Sequence, residues 1–373
     1  MSTEERAVEW IRRNMPLTRT ACSRLPDLRG IRLACSIHID DKMIPAFEGL
    51  RAKNCGLFIT TCNVQTVRSS TVDALRDMGA IVEASSEMSD SEWISSVDHA
   101  LAWNPTHLCE MGAMISSRVL SNHPSEQIKA GLEATGTGIN AVSTTLPNYP
   151  VFNWDDVPIK ERFHNRYMVG VVACNAFMYR TGISFHRKNV VVIGYGLVGE
   201  GVCNAVRANG GSVSIVEIDS VRALEGSYSG FPVVEKHEAM RSADMIITAT
   251  GRPGVVTAED FPRLKHGCFL INVGHSSDEI DMNSFRRLNH RQLIDFVEEF
   301  EERGKSVYVF ASGSMANLTA GIGDSLNSFD ITLAIMVSGI EFMVREASAW
   351  SPGVHDLPSQ AWRWIADAAV AAD

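Results

Sequence analysis

Residues 189–199 read NVVVIGYGLVG, and this stretch decides the fold of the chain. Its β-branched start predicts a buried strand, and Gly194, Gly196 and Gly199 form a turn ahead of a helix-length segment. In such a turn the first glycine allows a sharp bend, the second lets the backbone approach a pyrophosphate, and the third lets helix and strand pack closely. The helix N-terminus presents backbone N–H groups to an anion. This order of elements predicts a dinucleotide-binding crossover.

An acidic residue stands where such a crossover needs one. Glu217 lies 18 residues past Gly199, near the end of the predicted strand 212–218, where a carboxylate accepts hydrogen bonds from the adenosine ribose. Arg222 is placed to serve a 2′-phosphate, but Glu217 would repel that phosphate. The pair therefore favours NAD over NADP. The alternative is a glycine turn in an ordinary βαβ unit with a surface glutamate, and the order of the elements favours the dinucleotide site over it.

Short apolar runs and amphipathic segments alternate over most of the 373 residues. Ahead of the glycine turn, the pattern predicts strands at 31–37, 56–60 and 81–83 and helices at 42–53, 66–78 and 91–101. After it, further strands are predicted at 245–250 and 269–273. A loop at 146–158 and a long helix at 160–179, the expected hinge, separate the two patterns. The sequence therefore predicts two α/β domains.

Composition excludes several classes of protein. A net charge of -10 argues against a nucleic-acid partner. The most apolar late stretch, 329–344, is interrupted by Asp330 and Glu341, so no membrane span is predicted. Eight cysteines without a CxxC pair, and no secretory signal, predict reduced thiols in the cytoplasm. No set of side chains has the spacing of a metal site, and no metal is predicted.

Two long stretches resemble the cofactor-domain signatures of the S-adenosylhomocysteine hydrolases (adenosylhomocysteinases). They are GYGLVGEGVCNAVRANGGSVSIVEID at 194–219 and NVGHSSDEID at 272–281. Shorter matches follow the family's order: SIH at 36–38, TCN at 61–63, TGTG at 135–138, NWDDVPIKERFHNRY at 153–167, ANL at 316–318 and PGVHDLP at 352–358. The collinear match from about 31 to 358 resembles a divergent member of this family.

The resemblance implies redox-neutral chemistry with tightly held NAD. A ribose hydroxyl is oxidised, the neighbouring C–H becomes acidic, a thiol leaves, water adds to the enone, and the hydride returns. This sequence of steps needs a base for the hydroxyl, a base for the carbon and an acid for the leaving group. The catalytic residues that the resemblance implies are Lys160, His38, His164, Glu110 and His275.

Cofactor contacts are implied by the same resemblance and by the loops that follow the later strands. They are Thr135, Thr137, Asn165, Gly194, Gly196, Leu197, Val198, Gly199, Glu217, Arg222, Thr250, Gly251, Val273, Gly274 and Asn317.

Departures from the family pattern surround these residues. His164 replaces a family aspartate in the FHN at 163–165, and its imidazole can act as a base near neutral pH. Ala134 replaces one of two paired glutamates, which predicts the loss of a catalytic carboxylate. Other family residues, a cysteine, a threonine, a glutamate and a late histidine, are replaced by Val169, Asp40, Lys42 and Asp324. No counterpart of the family's C-terminal Lys/Tyr tail follows 358, which predicts weaker NAD binding or a different assembly.

The resemblance also implies that the chain returns to its first domain. We expect a Rossmann-type NAD-binding domain at 166–317, inserted in a substrate-binding α/β domain at 1–165 and 318–355, with a C-terminal tail at 356–373. We expect a small-molecule substrate and a homo-oligomer, a dimer or a tetramer.

Three functions remain open. The first is an NAD-dependent enzyme that transiently oxidises a substrate alcohol to permit elimination or conjugate addition, forming or cleaving a C–O or C–S bond, as in a specialised-pathway cyclase. The second is a true S-adenosylhomocysteine hydrolase. The third is a non-catalytic NAD-binding regulator.

Overall fold

The computed structural model describes residues 3–122, 127–145, 147–274, 278–321 and 323–371. The chain divides into two compact units. The first unit combines Met1–Lys160 with Leu326–Asp373, and the second unit is Glu161–Ser325.

The N-terminal part of the first unit alternates strands and helices. Its strands are β1 (Arg32–Ile37), β2 (Gly56–Thr61), β3 (Ile81–Glu83), β4 (His107–Glu110), β5 (Ala130–Glu133) and β6 (Pro150–Asn153). Its helices are α1 (Thr3–Arg13), α2 (Pro16–Arg24), α3 (Ile44–Ala52), α4 (Ser69–Asp77), α5 (Asp90–Ala102), α6 (Met114–Asn122) and α7 (Gly136–Thr145). Helix α5 begins with a capping box between Ser89 and Glu92. Strand β6 lies inside the predicted loop 146–158, so that prediction is wrong there.

A π-helix, Lys160–Met168, leads into the second unit and continues as α8 (Val169–Thr181). The strands that follow are β7 (Asn189–Ile193), β8 (Ser212–Val216), β9 (Met245–Thr248), β10 (Cys268–Asn272), β11 (Asn289–Ile294), β12 (Val297–Glu302) and β13 (Lys305–Phe310). The helices are α9 (Leu197–Ala208), α10 (Ser220–Tyr228), α11 (Lys236–Ser242), α12 (Met282–Phe285) and α13 (Ala316–Thr319).

The chain then returns to the first unit through α14 (Leu326–Glu346), β14 (Gly353–Asp356) and α15 (Ser359–Ala371). Strand β14 pairs with β6. The boundary falls after Ser325 rather than at 317/318, because Ala316 and Ala320 of the α13 segment belong to the core of the second unit. Residues 356–373 are not a separate tail, because Ala361 and Ile365 of α15 are buried in the core of the first unit.

All strands of the first unit are parallel, in the order β14-β6-β5-β4-β1-β2-β3. Successive residues of β1 face opposite sides of the sheet: Cys35 and Ile37 belong to the larger core, and Ala34 belongs to a second core on the other face. Because the strands are parallel, their carboxyl ends lie along one edge. The ends of β1, β4, β5 and β6 are therefore neighbours.

The sheet of the second unit has the order β11-β12-β13-β10-β9-β7-β8. Strands β8, β7, β9, β10 and β13 run parallel, and β12 and β11 add an antiparallel edge. Val190 and Val192 face one core, and Val191 and Ile193 face the other. This two-sided burial explains the continuous apolar run of β7. The α/β class and the Rossmann-type second unit are as the sequence predicts.

One helical stretch, Leu326–Ala349, is long and apolar enough to cross a membrane by length and composition. However, 67% of its most apolar window is buried inside the protein. Buried Asp330 in this helix accepts hydrogen bonds from the backbone N–H groups of Leu17 and Thr18 at 2.9 and 2.7 Å. These contacts identify α14 as the central core helix of the first unit.

Candidate functional site

The glycine turn between β7 and α9 is closed by backbone contacts that only glycine permits. Gly194 has φ +98°, and an added Cβ would lie 2.6 Å from the carbonyl oxygen of Ala249. A Cβ on Gly199 would overlap the carbonyl oxygen of Gly194. Both glycines are therefore required by the fold of the turn itself.

Gly196 differs, because an added Cβ would meet the end of a flexible side chain rather than backbone. The nearest atom to an added Cβ is the terminal nitrogen Nη1 of Arg222, at 3.3 Å. Gly196 is also the N-cap of α9, and among the described residues no side chain caps that helix. Backbone N–H groups at Leu197 and Val198 thus begin a helix whose dipole favours an anion.

Glu217 is anchored on this turn. Its Oε2 accepts a hydrogen bond from the N–H of Tyr195 at 2.6 Å, and its Oε1 accepts from Ile218 and Asp219 at 2.7 and 2.9 Å. Asp219 in turn caps α10 by accepting from Arg222 N–H at 3.0 Å. The Glu217 carboxylate and the Arg222 guanidinium thus both lie at the glycine turn.

The loops after β9 and β10 are held together by a buried carboxylate. Glu279 accepts hydrogen bonds from the N–H and hydroxyl of Thr250, both at 2.9 Å, and from Gly251 N–H at 2.7 Å. A Cβ on Gly274 would overlap this carboxylate. Val273 and Gly274 are buried, whereas predicted His275 lies outside the described residues. Burial raises the pKa of Glu279.

Asn317 is 4% exposed, and its Oδ1 has no hydrogen-bond partner among the residues that the structure describes. Asn317 lies on α13. The start of this helix is close to the end of β10, because Asn272 donates a hydrogen bond of 3.0 Å to the carbonyl of Gly313, three residues before α13 begins. Buried polar atoms are nearly always satisfied, so this oxygen indicates a ligand with a donor group.

Lys160 lies at the end of the first unit's N-terminal part, where the π-helix begins. It is 8% exposed; its ammonium group forms an ion pair with Asp155 and donates to the carbonyl oxygen of Ala134 at 3.1 Å. The Trp154 ring centroid is 5.4 Å from Nζ. Two neighbouring strand ends, β5 and β6, therefore fix the position of this amine.

Glu133, at the end of β5, organises the loop that carries Thr135 and Thr137. It accepts from Gly112 and Ala113 N–H at 2.8 and 2.9 Å, and from Thr135 N–H and hydroxyl at 2.8 and 2.7 Å. The Thr135 and Thr137 hydroxyl oxygens are 3.3 Å apart. Burial raises the pKa of Glu133 despite these four bonds.

Glu110 has the geometry of a helix cap. Its Oε2 accepts from Ile115 N–H at 2.6 Å, and its Oε1 accepts from the N–H and hydroxyl of Ser116 at 3.0 and 2.5 Å. Burial, followed by the nearby charge of Glu133, raises the pKa of Glu110 to about 7. Its predicted catalytic role remains a prediction, and these bonds favour a role in holding the start of α6.

His38 follows β1, and its Nδ1 lies 2.9 Å from the Thr66 hydroxyl. Two residues on, Asp40 pairs with the buried Lys42 ammonium at 2.8 Å and with Arg68 at 3.4 Å. The first unit thus places His38, Lys42 and Lys160 at the same carboxyl edge of its sheet.

In the second unit, His164 Nε2 lies 3.0 Å from Asp324 Oδ2. Both side chains are buried. Asn165, next on the π-helix, is half-buried. Arg166 pairs with Glu200 of α9 at 2.7 Å.

Residues 165–323 match the family model for the S-adenosyl-L-homocysteine hydrolase NAD binding domain. The S-inosyl-L-homocysteine hydrolase of Methanopyrus kandleri is 30% identical over 374 residues, which cover 96% of this chain and 88% of that protein. The adenosylhomocysteinase of Thermotoga maritima is 30% identical over 381 residues, covering 96% and 92%. The chain belongs to the S-adenosyl-L-homocysteine hydrolase family. The adenosylhomocysteinase of Thermoplasma volcanium is 29% identical over 373 residues, covering 96% and 91%.

Membership of this family makes the chain an NAD-dependent enzyme, and the second unit fits that cofactor. The start of α9, which no described side chain caps, and the Arg222 guanidinium beside Gly196 suit a pyrophosphate. Glu217 suits a ribose diol, and the buried Asn317 Oδ1 suits an amide donor. Bound NAD supplies reversible hydride transfer.

Several residues of the site were not predicted from sequence. Asp155 pairs with Lys160, Glu133 holds the threonine loop, and Glu279 joins the loops after β9 and β10. A carboxylate at the end of a short, largely apolar run was the available signal for Glu133. The described residues contain no group of three or more potential metal ligands.

Proposed function

We propose that this enzyme transiently oxidises a secondary alcohol of its substrate and uses the resulting ketone to permit elimination or conjugate addition at a C–O or C–S bond. Lys160 carries this proposal: a buried amine at the carboxyl edge of a parallel sheet, held by Asp155 and the Ala134 carbonyl. In its neutral form the amine donates its two N–H groups to these partners, and its lone pair accepts the hydroxyl proton as hydride departs.

Replaced residues favour a substrate other than S-adenosylhomocysteine. Ala134 has no polar side-chain atom, and it contacts Lys160 only through its carbonyl, where the family pattern has a glutamate. Buried Lys42, paired with Asp40, stands where that pattern has an acid. A reversal of charge in a buried site changes which ligand groups can be satisfied there. A specialised cyclisation is one reaction of this class.

Hydrolysis of an S-nucleosylhomocysteine thioether is the second candidate. The observation that favours it is the 30% identity, over 96% of this chain, to relatives named for hydrolysis of S-inosyl-L-homocysteine or S-adenosylhomocysteine. The hydrolysis uses the same alcohol oxidation, so Lys160 has the same role in both candidates.

One experiment separates the candidates. Purified protein is loaded with NAD and mixed with adenosine, S-adenosylhomocysteine or S-inosylhomocysteine, and bound NADH and released thiol are recorded. Thiol release supports the hydrolase, whereas bound NADH without thiol release supports the first candidate. Bound NAD that none of the three reduces argues against oxidation of a nucleoside.

The variant Lys160→Met tests the role of the amine. Loss of a positioned base should slow NADH formation by roughly 10²- to 10⁴-fold without releasing NAD. Lys129→Met, at an exposed lysine of the same unit, is the matched control. Equal rates in the two variants would show that Lys160 is not the base.

We also propose that the enzyme assembles as a homo-oligomer in a reducing compartment. Exposed apolar side chains on and just before α10 support the assembly: Ile218 is 99% exposed and Tyr228 is 88% exposed, with Val221 and Leu224 between them. All eight cysteines are unpaired, which suits reduced surroundings. Sedimentation should show a dimer or tetramer that Val221→Lys weakens, and a monomeric wild type would contradict the proposal.

A further inference from the structure

His164 and Asp324 form a buried pair within the second unit. The Nε2–Oδ2 distance is 3.0 Å, and the side chains are 11% and 5% exposed. His164 comes from the π-helix and Asp324 from the segment that precedes α14. The two residues are 160 positions apart in the sequence, so the tertiary structure, not local geometry, brings them together.

The two substitutions compensate each other. Relative to the family pattern, position 164 has exchanged a carboxylate for a histidine, and position 324 has exchanged a histidine for a carboxylate. In this fold, returning either position alone to the family residue would place two carboxylates or two imidazoles at this contact, which is unfavourable. In this chain the two departures from the family pattern form one imidazole–carboxylate pair.

The segment that carries Asp324 is packed closely against α8. A Cβ on Gly321 would lie 3.3 Å from the Cβ of Ala176 on α8 and 2.6 Å from the carbonyl oxygen of Asn317. The same segment contains Asn317 and Ser325, whose buried side-chain oxygens have no partner within the described ranges. Buried polar atoms are nearly always satisfied, so these two oxygens indicate a ligand with donor groups near this segment.

We propose that Asp324 is a positioning residue that holds His164 as its Nε2–H tautomer, and that His164 carries the proton of the elimination step. This inference rests on the proposed function. With the Nε2 proton directed at Asp324, the basic nitrogen of the neutral ring is Nδ1. Nδ1 takes the proton from the carbon beside the ketone, the C–H electron pair becomes the new C=C bond, and the leaving group departs with its bonding pair. The imidazolium, stabilised by Asp324, returns the proton to the departing anion.

The first test does not depend on turnover. Protein labelled with ¹⁵N-histidine and loaded with NAD is compared with His164→Gln to assign the His164 ring signals. The wild type should show a single neutral tautomer protonated at Nε2, and Asp324→Ala should show a mixture of tautomers. The same mixture in both proteins would overturn the positioning role.

The second test exchanges the pair. With adenosine as the probe, His164→Asp and Asp324→His alone should each slow the step after NADH formation, by roughly 10²- to 10⁴-fold, while the double exchange should recover most of the loss. The formation of bound NADH should change little in all three variants. A double exchange as slow as the single variants would overturn the proposal.

A matched control and a separate criterion keep the outcomes distinct. Glu299→Gln breaks the Arg291–Glu299 ion pair, 2.8 Å long, in the same unit and should alter neither the tautomer nor the rate. Retained NAD and an unchanged circular dichroism spectrum show that a variant is folded. If wild type does not oxidise adenosine, the proposed function fails for this probe, whereas the ring tautomer still decides the role of Asp324.

Discussion

The ammonium group of Lys160 forms an ion pair with the carboxylate of Asp155, five residues earlier on the chain. Asp155 follows β6, and the second partner of the amine, the Ala134 carbonyl, follows β5 at 3.1 Å. The position of the amine is thus set by two paired strands. A base placed in this way loses little entropy when a substrate hydroxyl arrives.

Asp155→Asn should therefore slow the alcohol oxidation. The amide keeps the shape of the side chain but removes the charge that holds the ammonium group, and a displaced catalytic group costs roughly 10²-fold in rate. Rapid mixing with adenosine, followed by the absorbance of bound NADH, measures the step. Asp156→Asn, the same charge change one residue later, should have a much smaller effect. Equal effects at both positions would indicate a general loss of charge.

Two glycines of the same turn should respond differently to alanine. Gly199→Ala places a Cβ on the carbonyl oxygen of Gly194, so it should lower the thermal stability of the second unit as well as NAD binding. Gly196→Ala meets only the flexible end of Arg222 and should weaken NAD binding while leaving the stability of the NAD-free protein nearly unchanged. Calorimetric NAD titration and thermal unfolding measure both properties. Unaltered NAD affinity in Gly196→Ala would contradict the assignment of the pyrophosphate site.

Cofactor preference should depend on Glu217 and Arg222 together. Glu217→Ser removes the carboxylate that would repel a 2′-phosphate and leaves the Arg222 guanidinium to bind it. The ratio of NADP to NAD affinity should rise by roughly 10- to 100-fold, the usual worth of one charge-assisted hydrogen bond. The double variant with Arg222→Gln should lose this gain. Binding titrations with both dinucleotides measure the ratio, and a ratio that does not change would exclude Arg222 from the ribose end.

Elements with strong periodicity were predictable from the sequence. The apolar run of β7, followed by Gly194, gave the strand, the turn and the helix α9 because local rules determine all three. The predicted helix 160–179 is correct in extent but not in type, since its first part is a π-helix. Hydrophobic spacing at a period of 3.6 residues does not distinguish the two, and neighbouring packing decides between them.

Contacts between distant residues were not predictable. Strand β6 was missed because only four residues, PVFN, pair there, and the parallel neighbours β5 and β14 supply its hydrogen bonds. The resemblance marked His164 and Asp324 as separate departures, and only the fold shows that they touch. The resemblance implied a catalytic Glu110, but the sequence could not show that both its oxygens hold the start of α6.

The last prediction concerns the pH dependence of stability that Glu110 introduces. Burial and the charge of Glu133 raise its pKa from 4.5 to about 7 in the folded chain. Folded protein therefore keeps a proton that unfolded protein releases between these two values. The stability from this proton is fully present below pH 4.5 and is lost as the pH rises through about 7. At roughly 1.4 kcal/mol per pKa unit, the loss is about 3 kcal/mol.

The Glu110→Gln variant has no ionisable group at this position. As the pH rises from about 5 to about 8, its free energy of unfolding should therefore increase relative to that of wild type by up to about 3 kcal/mol. Urea unfolding followed by tryptophan fluorescence measures the first unit specifically, because all 7 tryptophans lie within it. The control Glu87→Gln, at an exposed position of the same unit, should follow wild type at both pH values. A constant difference between Glu110→Gln and wild type would show that Glu110 keeps its charge when the protein is folded, which would favour the catalytic role over the helix cap.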